Sequence, residues 1–228
     1  CEMGLEAHVK LGATKDGKMK AAQITFLVDT GAYSDTGVGE ARSAACDCTG
    51  PYSIENVSCD SICAYTNHPF ATSFRGFSHL ELTFCIERTV DKLAYALGID
   101  PLELRAKNAV RAGDTSPTQA ALTVSNLGCL DKCMEKMKEV FNYGDGKTRI
   151  TEDGKILAKG IAAFWKAPNP PTDASSGAII TCNGDGSINI NFGAVEIGPG
   201  MKTTIAQIVA EQLKMNVDHV HVTESVDT

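Results

Sequence analysis

The stretch "NFGAVEIGPGMKTTIAQIVAEQLKM", residues 191–215, decides how the chain is organised. It predicts a strand, a tight loop in which Gly198 and Gly200 bracket Pro199, and an amphipathic helix over 201–215. A chain that turns this sharply into a helix leaves backbone N–H groups without intrahelical partners, and such groups attract anions. The stretch therefore predicts an anion-binding nest at the start of the helix.

The same loop spells G-x-G-x-x-T, which is close to a dinucleotide-binding fingerprint. However, Thr203 stands where that fingerprint needs a third glycine for close packing of helix and strand. Asp218 precedes the next predicted strand instead of ending it. A nicotinamide-binding Rossmann unit is therefore not favoured.

Size and charge narrow the class of protein. The 228 residues are 43% hydrophobic and 21% charged, which suits one large or two modest globular domains. The net charge of −7 gives no indication of nucleic acid or an anionic membrane as a partner. No apolar run approaches the roughly 20 residues that span a bilayer, and no secretory signal leads the chain.

Nine cysteines without a CxxC pair predict reduced, mostly buried thiols in a cytoplasmic protein.

The order of predicted elements favours an α+β fold over a doubly wound sheet. In the first half we predict a β-hairpin turning at Asp16-Gly17, a loop over 36–51, a strand over 54–67, a helix from Ser78 to Gly98 and a short helix from Asp100-Pro101 to Asn108. In the second half we predict a connector over 111–126, a helix over 129–142, a strand over 156–167, a hairpin over 177–191, the helix over 201–215 and a strand over 219–223. These elements predict mixed sheets with β-hairpins and amphipathic helices packed on them, in two subdomains, 1–127 and 128–228.

A second glycine loop, "ATSFRGFSHLE" at 71–81, precedes the helix that Ser78 starts. Ser78 and Glu81 have the spacing of a capping box. Arg75 carries a planar fork that can grip a phosphate or a polar ring, and Phe77 offers a flat apolar wall. The alternative is a surface arginine between two core aromatics. Two anion-binding helix starts in one chain indicate a single extended, phosphate-bearing cofactor between two half-sites.

Four segments together resemble the molybdenum-binding subunit of the xanthine dehydrogenase / aldehyde oxidase family of molybdenum hydroxylases. They are "DGKMKAAQITFLVDTGAYSD" (16–35), "GPYSIENVSCDSICAYTNHPFATSFRGFSHLELTFCIE" (50–87), "LAYALGIDPLELRAKNAVRAGD" (93–114) and "DGSININFGAVEIGPGMKTTIAQIVAEQL" (185–213). They resemble the family patterns D-G-x-x-x-A … D-x-G-A-Y, A-x-R-G-F-G-x-P-Q, L-G-x-D-P-x-E-x-R-x-x-N and E-x-G-Q-G-x-x-T, in the family's order.

The resemblance implies a molybdenum–molybdopterin cofactor, often carried as its cytosine dinucleotide in bacteria. It implies hydroxylation of a purine, an N-heterocycle or an aldehyde with oxygen from water. Electrons would leave through iron–sulfur clusters and FAD on partner subunits or domains of an oligomeric enzyme. Cofactor contacts carry over to Phe74, Arg75, Gly76, Ile197, Gly198 and Pro199. Substrate contacts carry over to Phe77, which would stack on the substrate, and to Arg42, which would orient it.

The chain departs from the family pattern in both loops. Pro199 replaces a glutamine of the second loop, which removes an amide and a backbone N–H donor. Residues 78–81 read Ser-His-Leu-Glu where the family has Gly-x-Pro-Gln. The family's general-base glutamate is expected downstream of this chain, and Glu40 only mimics the spelling of its motif. We therefore predict no catalytic residue within these 228 residues and no turnover by them alone. The alternative is a non-catalytic relative or isolated domain that acts as a scaffold or interaction module.

Overall fold

The computed structural model describes residues 3–73, 76–125, 127–141, 148–166 and 175–223. Its helices pack on separate mixed sheets, which confirms the α+β prediction. The chain divides into two compact units, Cys1–Ala167 and Pro168–Thr228. The subdomain boundary between residues 127 and 128 stays a prediction.

The sheet of the first unit has the strand order β1-β2-β3, with β1 at Gly4–Ala13, β2 at Met19–Gly31 and β3 at Asn56–Tyr65. β1 and β2 are antiparallel, which confirms the hairpin, whereas β3 lies parallel to β2. The hairpin loop spans residues 14–18, longer than a two-residue turn, and the register shifts at its first end. Buried residues alternate along β2, so one face of the sheet lies on the core.

Helix α1, Gly37–Cys46, replaces the loop predicted over 36–51. The prediction was wrong because glycine and alanine carry almost no amphipathic signal. These small residues let the helix lie directly on the sheet. A Cβ at Gly37 would come within 2.5 Å of the Thr30 side chain, and Ala41 and Ala44 are buried.

Helices α2, His79–Leu97, and α3, Pro101–Asn108, occupy the predicted positions. The α2 residues that face the core recur at helical spacing: Leu82, Ile86, Val90 and Ala94. Gly98 ends α2 in the left-handed conformation that glycine favours at this position. The Asp100 carboxylate then caps α3 by accepting hydrogen bonds from the N–H groups of Leu102 and Glu103.

The arginine and asparagine of the L-G-x-D-P-x-E-x-R-x-x-N segment are buried structural residues. The Arg105 guanidinium donates to the Glu87 carboxylate at 2.8 Å and to Asp91 at 2.8 Å. Asn108 accepts from the Met19 N–H at 2.8 Å and donates to the Gly17 carbonyl at 2.8 Å. This motif therefore joins α3 to α2 and to the β-hairpin.

The first unit continues with α4, Leu130–Phe141, and a short antiparallel pair, β4 at Thr148–Ile150 and β5 at Ile156–Ala158. Helix α4 was predicted, and β4 was not. The strand predicted over 156–167 is wrong beyond Ala158, because the described residues that follow have no ladder partner.

The second unit contains the sheet β6-β7-β8, with β6 at Ala178–Cys182, β7 at Ile188–Phe192 and β8 at Val220–Val222, and helix α5 at Met201–Leu213. The hairpin, the helix and the last strand were all predicted. We expected Ile205, Ile208, Val209 and Leu213 to bury α5. Ile205 and Val209 pack partly buried against the core of this unit, whereas Ile208 and Leu213 are exposed. Ala206 and Ala210 are the residues of this helix that are fully buried.

None of the helices in the described ranges combines the length and the apolar character that a membrane span needs. The eight cysteines in this part of the chain are free thiols, and only Cys48 is fully buried. The prediction of mostly buried thiols is therefore wrong: Cys129, Cys133 and Cys182 are exposed.

Candidate functional site

The end of β2 holds the segment that leads to the first glycine loop. The Asp29 carboxylate accepts hydrogen bonds from the Gly31 N–H at 2.8 Å and the Thr66 hydroxyl at 2.6 Å, and it pairs with His68 at 2.6 Å. These donors, the Thr66 hydroxyl first, lower the pKa of Asp29 to about 2. A Cβ at Gly31 would lie 2.2 Å from the Pro69 carbonyl oxygen, so only glycine permits this close crossing.

The next residues are tied to the segment that precedes α1. The Ala71 N–H donates to the Thr30 carbonyl at 3.0 Å. The Thr36 hydroxyl lies 2.6 Å from the Ser73 hydroxyl and accepts from the Ser73 N–H at 3.2 Å. The chain therefore enters the first glycine loop from a fixed position.

Three consecutive residues of this loop have positive φ angles: Gly76 at 122°, Phe77 at 54° and Ser78 at 62°. The left-handed region is costly for the two residues that carry a Cβ. Strained backbone of this kind persists where surrounding contacts hold it, and it clusters at functional sites. Phe74 and Arg75 lie outside the described residues, so their predicted roles stay predictions.

The capping box predicted at the start of α2 does not form in its expected way. Ser78 precedes the helix but makes no capping hydrogen bond. Its hydroxyl instead donates to the buried Glu40 carboxylate of α1 at 2.8 Å. Because the left-handed backbone of Ser78 turns its side chain towards α1, the hydroxyl reaches that helix and not the N–H groups of α2.

Phe77, the predicted stacking residue, is half exposed. The Lys166 ammonium lies 5.5 Å from the centroid of its ring, within cation–π range. The segment that carries Lys166 is tied to the core, because the Ala163 N–H donates to the buried Glu87 carboxylate at 2.9 Å. An aromatic ring with one side open and a cation beside it can receive a flat substrate.

Arg42, the other predicted substrate contact, lies on the exposed side of α1. It is two residues from Glu40, which contacts the first loop through Ser78. Its predicted role in orienting the substrate stays a prediction.

The second glycine loop does not leave its N–H groups unpartnered. The Glu196 carboxylate accepts hydrogen bonds from the N–H groups of Gly198 at 2.7 Å, Gly200 at 3.1 Å and Lys202 at 3.4 Å. The prediction of an anion-binding nest for an external group is therefore wrong at this loop. The chain fills the nest with its own carboxylate, because Glu196 lies only two to six residues before these donors.

This arrangement predicts acid sensitivity in the second unit. The backbone N–H groups, that of Gly198 first, lower the pKa of Glu196. A lowered pKa contributes stability that is present above the ordinary carboxyl pKa and is lost as the pH falls through the lowered value. We expect Glu196→Gln to reduce the free energy of unfolding at pH 7 and to flatten its fall below about pH 4.

Urea unfolding between pH 3 and 7 measures this effect. Glu211→Gln is the matched control, because the Glu211 carboxylate is exposed and pairs with Lys214 at the surface, at 2.6 Å. Identical pH profiles for Glu196→Gln and the unmodified chain would contradict the role assigned to Glu196.

Both loops retain open space where a bound group can approach the backbone. Gly76, Gly198 and Gly200 have positive φ angles, and none of the described residues lies within 4 Å of a Cβ built on them. Ile197, Gly198 and Pro199 are exposed. Such glycine cradles fit a planar, polar cofactor that needs close backbone contact. No signal in the sequence pointed to Glu40 and Glu196, which hold the two loops, or to Asp47, whose carboxylate lies 2.6 Å from the His79 ring at the end of the first loop. An isolated carboxylate carries no motif.

Two family models described as "Molybdopterin cofactor-binding domain" match the chain, over residues 2–109 and 136–228. The xanthine dehydrogenase molybdenum-binding subunit of Escherichia coli O157:H7 is 33% identical over 96% of this chain and 29% of the relative. The nicotinate dehydrogenase large molybdopterin subunit of Eubacterium barkeri is 40% identical over 60% of this chain and 32% of the relative.

A solved structure gives the same fold. The aldehyde oxidoreductase of Desulfovibrio desulfuricans superposes with a TM-score of 0.82 at 24% identity, over 97% of this chain and 25% of that protein. The chain therefore spans between a quarter and a third of the length of these three relatives.

Proposed function

The chain belongs to the xanthine dehydrogenase / aldehyde oxidase family of molybdenum hydroxylases, and we propose that it is part of a large subunit that binds molybdopterin. We propose that the complete enzyme hydroxylates a purine, an N-heterocycle or an aldehyde with oxygen from water. The observation that carries the proposal is the pair of glycine corners at Gly76 and Gly198. Both keep positive φ angles, and both leave the space beside the α-carbon open. With no side chain at either corner, a bound group can come close to the backbone there.

The residues of the first loop would hold the charged side of the cofactor. Arg75 would donate two parallel hydrogen bonds to a phosphate or to the pterin edge, and Gly76 would let that group approach the backbone. Phe74 would line the same contact. Phe77 would stack on the substrate, and Arg42 would orient it. Molybdopterin, when bound, supplies a metal centre that accepts two electrons from an activated carbon.

The residues of the second loop would take the uncharged side of the cofactor. Because Glu196 already occupies the start of α5, a phosphate there would meet a second negative charge. Ile197, Gly198 and Pro199 instead offer apolar surface and backbone carbonyl acceptors. The general-base glutamate and the iron–sulfur and flavin groups would belong to other segments or subunits, in a cytoplasmic oligomer.

Isotope labelling of the complete subunit, purified with its redox partners, tests this function. We expect oxygen from H₂¹⁸O to appear in the product of at least one of hypoxanthine, nicotinate and benzaldehyde. The 228-residue chain alone should give no product. Arg75→Ala should lower the molybdenum content or the rate of the complete enzyme. Unlabelled product would contradict the reaction, and an unchanged rate and metal content in Arg75→Ala would contradict the role of that residue.

Two features of the second loop favour a second function, that of a non-catalytic relative. Pro199 and the filled nest at Glu196 both remove donors from the second loop. If the complete subunit carries neither molybdenum nor pterin in cells that load other molybdoenzymes, that result would favour a non-catalytic protein that acts as a scaffold or interaction module.

A further inference from the structure

Three ionisable side chains are buried beside the first glycine loop and have no role in the function proposed above. Glu40 lies on α1, Asp47 follows the end of α1, and His79 begins α2. The exposed fractions of these residues are 3%, 8% and 4%. Ionisable groups are rarely buried to this extent unless they are paired.

The hydrogen bonds of His79 fix its charge. Its Nε2 lies 2.6 Å from the Asp47 carboxylate. Its Nδ1 lies 2.8 Å from the Gly76 carbonyl oxygen and 3.1 Å from the Phe77 carbonyl oxygen. All three partners are acceptors, so each ring nitrogen must carry a proton to form these bonds. Both nitrogens are donors only in the imidazolium form.

Electrostatics agree with this geometry. Burial acts to lower the pKa of His79, but the Asp47 carboxylate and the two carbonyls outweigh it, so the pKa lies above its usual value. Two carboxylates lie in this region: Asp47 bonds the ring, and Glu40 accepts from the hydroxyl of the neighbouring Ser78. Lys166 lies over the Phe77 ring.

The bonds of His79 reach the backbone of the strained loop itself. The carbonyls of Gly76 and Phe77 belong to two of the three consecutive residues with positive φ angles. The third, Ser78, is held by Glu40. Together these contacts hold the direction in which the Phe77 ring leaves the backbone.

We propose that His79, charged and oriented by Asp47, is a positioning residue that holds the Gly76–Phe77 corner and so sets the place of the Phe77 ring. Glu40 supports the same corner through Ser78. The consequence for substrate rests on the proposed function of Phe77, whereas the charge of His79 does not. A loosened Phe77 ring would weaken substrate binding in the ground state and the transition state alike, which raises KM and leaves kcat unchanged.

The first measurement needs no variant and no substrate. Exchange of the histidine C2 hydrogen, followed by mass spectrometry of the complete subunit, reports the protonation of each histidine against pH. We expect the titration midpoint of His79 to lie above the ordinary histidine value, because its ring donates to the Asp47 carboxylate and to two carbonyls. A midpoint at or below that ordinary value would overturn the proposal.

The second measurement compares Asp47→Asn with Asp60→Asn, an exposed aspartate on β3, in the complete enzyme. The assay uses whichever of hypoxanthine, nicotinate and benzaldehyde the unmodified enzyme oxidises. We expect Asp47→Asn to raise KM at least about fivefold at neutral pH, with kcat within twofold and a smaller increase at lower pH, where more of His79 is protonated. Asp60→Asn should change neither constant.

A KM that stays unchanged in Asp47→Asn, although exchange shows that His79 has lost its proton, would overturn the positioning role. Absence of turnover in the unmodified enzyme would instead count against the proposed function, and the exchange measurement would still decide the charge of His79.

Discussion

Replacing Arg105 by methionine should lower the free energy of unfolding by about 3–5 kcal/mol, because it leaves a buried carboxylate without its charge partner. The Arg105 side chain is fully buried. It donates to Glu87, which also accepts from the Tyr52 hydroxyl at 2.5 Å and from the Ala163 N–H at 2.9 Å. Methionine fills much of the volume but supplies no donor, so Glu87 would have to take up a proton or remain desolvated.

Urea unfolding with Lys107→Met as control measures this loss. Lys107 lies on the same helix, is partly exposed and pairs with Asp16 at the surface, at 2.7 Å. Surface pairs contribute about 0–1 kcal/mol, so the control should stay near the unmodified stability. Adding Glu87→Gln to Arg105→Met should recover part of the loss. A loss below about 1 kcal/mol for Arg105→Met would show that the network does not hold α2 and α3 together.

Alanine at Gly76 or Gly198 should lower the pterin content of the complete subunit about tenfold or more. A steric cost of 1.4 kcal/mol is enough for a tenfold loss of affinity. The added methyl group would meet none of the described residues of the chain, so its effect on cofactor content would come through the bound group. The strain of a positive φ would also act, and it has to be separated from that effect.

Two other glycines separate the effect of backbone strain from the effect of the added methyl group on cofactor binding. Gly113 has a φ of 102° and Gly186 a φ of 83°, and both are open at the Cβ position, as Gly76 and Gly198 are. Gly113→Ala and Gly186→Ala should therefore lose similar stability in thermal unfolding but keep the pterin. Equal pterin loss in all four variants would attribute the effect to backbone strain alone.

Sequence reasoning located the elements whose signals are local. The helix from His79 to Leu97 shows apolar residues at helical spacing, and Asp100-Pro101 marks the start of the next helix. Helix α1 escaped prediction because alanine and glycine give no periodic contrast, although their small size is what lets it lie on the sheet. Packing of this kind depends on the partner surface, which a single segment does not encode.

At the candidate site, the sequence indicated where the glycine corners lie but not what holds them. The open cradles at Gly76 and Gly198 lie in the two predicted loops. The carboxylate that fills the second nest and the His79–Asp47 pair depend on contacts between side chains that carry no shared motif. Long-range pairs such as His79 and Asp47, 32 residues apart, require the fold before they can be seen.

We propose that Gly76 and Gly198 each contact the pterin when the complete subunit binds it. A structure of the complete subunit with its cofactor bound tests it most directly, through the distances from pterin atoms to the α-carbons of Gly76 and Gly198. We expect both distances to be those of van der Waals contact, about 4 Å. A pterin that touches only one of these glycines, with the other corner covered by protein side chains, would contradict the account.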